Sequence, residues 1–524
     1  MGQEVAVAGP NTYSAQAGAQ AASLGGNAVD VALGAMIAAL VSEPGIASLG
    51  GGGFVTVAPP GGPAVTIDGS VSMPGTGLAP ERFSRGLVPL HLEYGGGTDL
   101  DIGHGSVATP GTLMALETAH RQFGRIPWAE VVAPAAELAR TGFRIGAAAG
   151  HYLGYAAEPL FGRDPAAAAV LSNPDGGRRR AGDTMCLTEL ADFLDLVSKE
   201  GASALHQGEV AQALAAEMAG HDGLITQADL AGYRAVVRPA LTARIGDWRW
   251  ATNPAPAVGG PVLVAMLLLL AGSGTSGTSG KRLPGLTELI EVQRAVLADR
   301  IRRLDLAPDR IAAAELMLAE LGAGAGSGVS ALGGSPSTVH VSTVDASGLA
   351  CAVTASSGYG AGVSVPGTGI WLNNCLGERE LNRLGPHALA PGERLVSNMT
   401  PTVGRHDDGR VLAIGSPGAD RITTAILQVL LALMAGEPLE SAIERPRVHV
   451  SLDAAGTPVT VDYEADLPLG DGAAGTNRPA PDLRWREHPR QAMFFGGVAA
   501  AQRHPDGRLE AAADPRREGA VQVL

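Results

Sequence analysis

The segment Thr338-Val339-His340-Val341-Ser342-Thr343-Val344-Asp345 puts a hydroxyl at the head of a predicted strand, directly after a run of small residues. Alternating Val339, Val341 and Thr343 suit a half-buried strand. The stretch before it, from Gly322-Ala323-Gly324 to Ser335-Pro336-Ser337, has the composition of an exposed linker. On spacing alone this is an ordinary strand after a loop. A cut between Ser337 and Thr338 would change its chemistry, because an N-terminal threonine carries both a nucleophile and its own base. The Thr338 hydroxyl would attack the Ser337 carbonyl, the acyl group would shift from nitrogen to oxygen, and hydrolysis would free the α-amine. That amine has an ordinary pKa of about 7.7–8.0, low enough to accept the hydroxyl proton near neutrality.

The elements that would position this threonine are legible in the periodicity. Helices are predicted around Tyr13–Leu24, Ala28–Val41, Thr112–Phe123 and Trp128–Thr141, with strands around Gly53–Val57 and Ala64–Asp68. Ala181 to Met218 reads as helical, and helical periodicity resumes over Leu286–Leu304 and Asp309–Leu321. After Thr338 the chain is strand-rich to Leu372, carries one long helix over Ile422–Ala435 and finishes in short strands. The apolar runs Pro261–Ala271 and Ile422–Ala435 are shorter than the roughly 20 residues a membrane helix needs, and read as buried helices. Gly272-Ser273-Gly274-Thr275-Ser276-Gly277 matches GxGxxG, but it follows a helical run instead of a strand and is read as a connector.

Composition narrows the function. The 524 residues, 45% apolar, can bury a large core, and 38 basic against 52 acidic residues leave a net charge of −14. That charge, with no basic stripe, argues against nucleic acid or an anionic membrane as partner. Cys186, Cys351 and Cys375 cannot all pair and show no metal-ligand spacing, so no metal or other cofactor is expected. Met1-Gly2-Gln3-Glu4-Val5 lacks the pattern of a secretory signal, and reduced thiols fit an expected cytoplasmic location. No GxSxG elbow, HExxH or phosphate-binding loop competes with Thr338. His104 and His340 read as structural hydrogen-bonding residues.

Several ordered blocks resemble the gamma-glutamyltranspeptidase family of N-terminal-nucleophile hydrolases. They are Gly25-Gly26-Asn27-Ala28-Val29-Asp30, Glu43-Pro44 with Leu49-Gly50-Gly51-Gly52-Gly53-Phe54, and Thr109-Pro110-Gly111-Thr112 with Phe123-Gly124. Glu137 to Phe143, the Thr338 segment, Gly369-Ile370-Trp371-Leu372-Asn373-Asn374, Gly415-Ser416-Pro417-Gly418 and Ala513-Asp514-Pro515-Arg516 complete the set. The resemblance implies an α+β fold, a four-layer αββα sandwich of two mainly antiparallel sheets covered by helices. It also implies self-cleavage at Ser337–Thr338 into residues 1–337 and 338–524, a heterodimer of the two fragments that form one intertwined fold, with a dimer of these as a further assembly.

The resemblance assigns roles too. Thr338 is the expected nucleophile, Ser356 the hydroxyl beside it, and the backbone amides of Gly418 and Ala419 the oxyanion donors, each worth roughly 2.7–4 kcal/mol in comparable sites. Substrate contacts are expected from Ser70, Asn373, Asn374, Glu378, Ser397 and Asn398. Here the chain departs from its relatives. Where the family has an Asp-x-Arg-Glu segment whose arginine holds the glutamyl α-carboxylate, this chain has Asp68-Gly69-Ser70-Val71. The stretch Thr354-Ala355-Ser356-Ser357-Gly358-Tyr359-Gly360 is shortened and lacks the asparagine that also reaches the carboxylate. Ala419 replaces a second glycine, Cys375 a polar side chain, Glu378 an aspartate, and Ser397-Asn398 a serine pair.

These changes spare the catalytic core and alter the glutamyl head. The expected function is a self-processing hydrolase acting through an acyl-enzyme on a small carbonyl metabolite other than a standard gamma-glutamyl compound. The alternatives are a carbon–carbon bond hydrolase of 4-alkylproline-type antibiotic biosynthesis releasing an oxalate-type fragment, and, in another class, a catalytically inactive binding module.

Overall fold

The computed structural model describes residues 4–93, 97–272, 283–322, 338–453, 457–469 and 478–524. Ser337, the residue expected before the cleavage, and the connector residues 273–277 lie outside these.

Alternation along the strand Val339–Asp345 divides its side chains between two environments. Val339 and Val341 join the core beneath the helices, while His340, Ser342 and Val344 face a second sheet. The strand is therefore buried along its whole length, where the sequence predicted half-burial. The reason is that both faces are covered, one by helices and the other by strands.

This strand lies third in a seven-stranded sheet ordered 520–523, 5–9, 339–345, 350–356, 52–58, 65–69 and 236–239. Every pairing in it is antiparallel. The second sheet runs 509–513, 499–503, 411–415, 402–406, 248–252 and 241–245, also antiparallel throughout. Between the two lies a layer of small side chains, among them Ala6, Ala350, Ala352, Ala413 and Ala501. The abundant alanine thus has a packing use at the interface between sheets.

Helices Thr12–Ser23, Ala28–Ser42, Thr112–Phe123 and Trp128–Thr141 cover the outer face of the first sheet. Gly259–Gly272, Leu286–Arg300 and Arg421–Met434 cover the second. The architecture is α+β, a four-layer αββα sandwich. No helix among the described residues is long and apolar enough to cross a membrane.

The Gly25–Asp30 block is a helix start. Asn27 accepts from the amides of Val29 and Asp30, and Asp30 accepts from the amide of Asn27. The same Asn27 donates to Phe123 O, and Asp30 takes the Arg125 amide, which ties two separated sequence blocks together. Asp345, at the far end of the Thr338 strand, receives the Ala28 amide. The helix Ala28–Ser42 is buried at every position and braces the strand that begins at the threonine.

Candidate active site

Thr338 stands at the N-terminal end of its strand and is 4% exposed. Val339 pairs with Ala355, so continuing the register by one residue sets Ser356 opposite Thr338. Ser356 Oγ accepts from the Gly358 amide at 3.2 Å. His340, one residue into the strand, is spent on structure. Its Nδ1 pairs with Thr354 Oγ1 and its Nε2 with Ser342 Oγ, each at 2.8 Å, and burial pushes its pKa down to about 3. It stays neutral and serves no proton transfer. His104 pairs with Glu217 Oε1 at 2.9 Å, stacks on His221 and does not line the cavity beside Thr338.

The turn after strand 411–415 approaches from the second sheet. Gly418 has φ +125°, and a Cβ there would lie 2.9 Å from Gly496 Cα, so close backbone packing demands glycine. Ala419 has φ +58°, a left-handed conformation that costs a residue with a Cβ about 1–2 kcal/mol. Strain of this kind is held by surrounding structure and gathers at functional sites. The turn leads into helix Arg421–Met434, whose N-terminal pole favours negative charge developing in front of it. Burial works against ionised Asp420 at the helix start, but Arg421 and His449 outweigh it and keep the carboxyl below its ordinary range.

One cavity of about 530 Å³, partly open to solvent, gathers much of the predicted constellation. Thr338, Ser356, Ala419, Ser70, Glu378, Ser397 and Asn398 all line it, brought together from both sheets and the loop between residues 372 and 400. Gly418 lies one residue behind the wall.

Asn373 and Asn374 are a correction, because neither lines the cavity. Asn373 Nδ2 donates to Gly50 O and Ala108 O while its Oδ1 accepts from the amides of Ala108 and Cys375. Asn374 accepts from the amides of Tyr359 and Gly360 and donates to Asp101 O. Both side chains splint the loops that form the wall, a demand invisible in sequence because their partners are backbone groups up to 323 positions away.

At the missing-arginine position, Ser70 Oγ donates to Asp68 Oδ1 at 2.7 Å. Arg238 binds Asp68 Oδ2 at 3.0 Å. Arg394 comes near but directs its guanidinium to Ser70 O and Arg234 O and stacks on Tyr233, 4.4 Å from the ring centroid. Among the described residues the lining contains no arginine, lysine or histidine, and it holds a second glutamate, Glu380, that sequence reasoning missed. The signal was present only as a second acidic residue two positions after Glu378, in a segment that folds as a turn and has no strand alternation to mark its direction. Burial, then the neighbouring Glu380 charge, hold the Glu378 carboxyl well above its ordinary range, against the pull of a Cys375 thiol hydrogen bond. Asn398 Oδ1 accepts from Arg300 at 2.5 Å, and Arg300 also binds Asp305.

Comparisons agree with this geometry. The sequence model for gamma-glutamyltranspeptidase matches residues 14–524. The chain is 30% identical to the glutathione hydrolase proenzyme of Pseudomonas aeruginosa over 560 aligned positions, covering 99% of this chain and 94% of that one. It is 31% identical to the acylase ACY 1 proenzyme of Pseudomonas sp. strain SE83, covering 96% and 90%. The crystal structure of cephalosporin acylase from Bacillus halodurans shares the fold at TM-score 0.81 and 22% identity, over 99% of this chain and 96% of that one. A threonine heading a central strand, faced by a serine and a glycine turn and matched along nearly the whole chain, places this protein in the gamma-glutamyltranspeptidase family of hydrolases.

Proposed function

We propose that the chain cuts itself between Ser337 and Thr338, and that the freed Thr338 hydrolyses a small carbonyl compound whose acyl part is not a gamma-glutamyl group. The observation that carries this is the cavity lining: Thr338, Ser356 and Ala419 share one space with Glu378 and Glu380 and, among the described residues, with no cationic side chain. The α-amine of Thr338 takes the hydroxyl proton, Oγ attacks the carbonyl, and Ser356 holds Oγ in line. The backbone amides of Gly418 and Ala419 receive the oxyanion at the head of the helix. Water then releases the acyl group.

Charge decides the substrate class. An α-carboxylate would find no guanidinium among the described lining residues and would face the charge of Glu380, a repulsion that Coulomb's law puts near ~4 kcal/mol for a unit pair at about 4 Å and intermediate dielectric. Glu378, whose carboxyl is pushed up by burial and by the Glu380 charge, is disposed to stay neutral beside a neutral acyl group and to ionise beside an amine. Neutral or amine-bearing acyl groups are therefore favoured over glutaryl or oxamate-type anions. The three free thiols, Cys186, Cys351 and Cys375, suit work in a reducing compartment.

Purified protein should resolve into fragments of 337 and 187 residues (524 − 337), the smaller beginning Thr-Val-His-Val. A comparison of kcat/KM on gamma-glutamyl, glutaryl, oxamate-type, neutral and amino-acyl amides then tests the pocket. A fully active uncut chain, or a preference for the gamma-glutamyl compound, would overturn the reading.

A further inference from the structure

A second cavity, of about 340 Å³, meets the first at Thr338 and, among the described residues, shares no other lining residue with it. Its wall includes Pro10, Glu43, His340, Asp514 and Arg517. Glu43 ends the helix Ala28–Ser42, with its amide bound to Ala39 O, and is 5% exposed. Its Oε1 accepts from Asn11 Nδ2 at 2.5 Å. Asn11 cannot turn away, because its Oδ1 caps the helix Thr12–Ser23 through the Ser14 amide.

The other titratable groups on this wall are committed. His340 has both ring nitrogens on hydroxyls and is neutral. Asp514 is held ionised by Arg447 and Arg516. Arg517 keeps its charge at every relevant pH. Glu43 differs from all three. Burial pushes its carboxyl up to about 7, with the Asn11 hydrogen bond and Arg517 pulling down and Glu518 pushing up. Its place at the negative end of a helix acts in the same direction as burial. Near neutrality it can both take and give a proton.

We infer that Glu43 shuttles the proton of self-cleavage, serving Thr338 through the second cavity; this rests on the self-processing reading above. As Thr338 Oγ bonds to the Ser337 carbonyl carbon, the hydroxyl proton passes through a water in the cavity to the Glu43 carboxylate. When the carbon–nitrogen bond breaks, its electron pair stays on the Thr338 nitrogen, which takes that proton back. Glu43 ends as it began. Water then cleaves the ester, its oxygen going to Ser337 and a proton to Thr338 Oγ.

The test follows conversion of the freshly translated full chain to its two fragments between pH 5.5 and 9, for the unaltered protein, Glu43→Gln and Glu43→Asp, with circular dichroism to check that each variant is folded. The unaltered chain should show a rate limb with its midpoint near pH 7. Glu43→Gln should slow cleavage at least about tenfold and abolish the limb, and Glu43→Asp should restore the limb. Cleavage of Glu43→Gln at the normal rate, or slowed with the limb intact, overturns the inference and leaves Glu43 a packing role. Should Glu43→Gln not fold, the unaltered chain and Glu43→Asp decide, and no ionisation between pH 6 and 8 in either overturns it. An unaltered chain that stays whole at every pH defeats the self-processing reading itself.

Discussion

Thr338 and Ala419 show how far single residues carry the chemistry. Replacing Thr338 by alanine removes the hydroxyl needed for both attacks, so neither fragments nor turnover should appear, while Thr338→Ser should retain part of each; electrophoresis and a turnover assay read both. Ala419 is a milder case. Its contribution to an oxyanion site is the backbone amide, which glycine also supplies, and its φ of +58° is strained for alanine. Ala419→Gly should therefore keep maturation and kcat within about threefold. Relief of roughly 1–2 kcal/mol of left-handed strain is offset by the greater freedom of glycine in the unfolded chain, so Tm should change little. A loss of activity above tenfold would show that the Cβ itself shapes the cavity.

Between elements, the closest fit lies where the two sheets meet under the active site. Gly415 ends a strand of the second sheet against the His340 ring, and a Cβ on it would come within 2.2 Å of His340 Cε1. His340 is clamped between Thr354 and Ser342, and Ser342 in turn bonds Ala499 O of the second sheet at 3.0 Å. Gly415→Ala should cost about 1–3 kcal/mol by overpacking, read as a lowered denaturant midpoint. Because the ring and Thr338 line the same cavity, it should also slow maturation, whereas Gly232→Ala at an exposed helix end, with nothing near its Cβ position, should leave the cleavage rate unchanged. Equal maturation in both would disconnect the sheet interface from the nucleophile.

At the scale of the whole molecule, the altered pocket and the buried carboxyls govern selectivity and pH response. Ser70→Arg alone should restore little gamma-glutamyl hydrolysis, since Asp68 already holds Arg238 and Ser70 and would compete for the new guanidinium, and the shortened loop after Ser356 is unchanged. A gain in kcat/KM above about tenfold would refute this. Glu43 should appear in stability as well. Its carboxyl is raised from 4.5 to about 7, so the native state binds more protons than the unfolded chain within that window. Stability therefore falls as pH rises through it, by about 1.4 kcal/mol per unit at most, and levels off above it. In an uncleaved Thr338→Ala background, adding Glu43→Gln should remove that decline and raise the denaturant midpoint at pH 8 relative to pH 5. An unchanged slope would mean that Glu43 titrates normally.

Local order was legible in the chain itself. Helices Thr112–Phe123 and Trp128–Thr141 stand where periodicity predicts them, and Ala28–Val41 differs by one residue at its end, because a 3.6-residue apolar pattern, glycine stops and the Asn27 cap are short-range signals. The order of the family blocks likewise singled out Thr338, Ser356 and the Gly418 turn. What needed the tertiary structure was the difference between residues that line the cavity and residues that hold it up. Asn373 and Asn374 have the same side chain as Asn398, yet only Asn398 reaches the space, since the other two are held by hydrogen bonds to backbone groups, several of them far along the chain. Glu380 had no role in the sequence and Glu43 only a place in a family block, until the fold buried one in the wall beside Glu378 and the other in the wall of the cavity that reaches Thr338. Burial and hydrogen bonding set the charge state of a carboxyl, and burial depends on how separate elements pack, which no local pattern encodes.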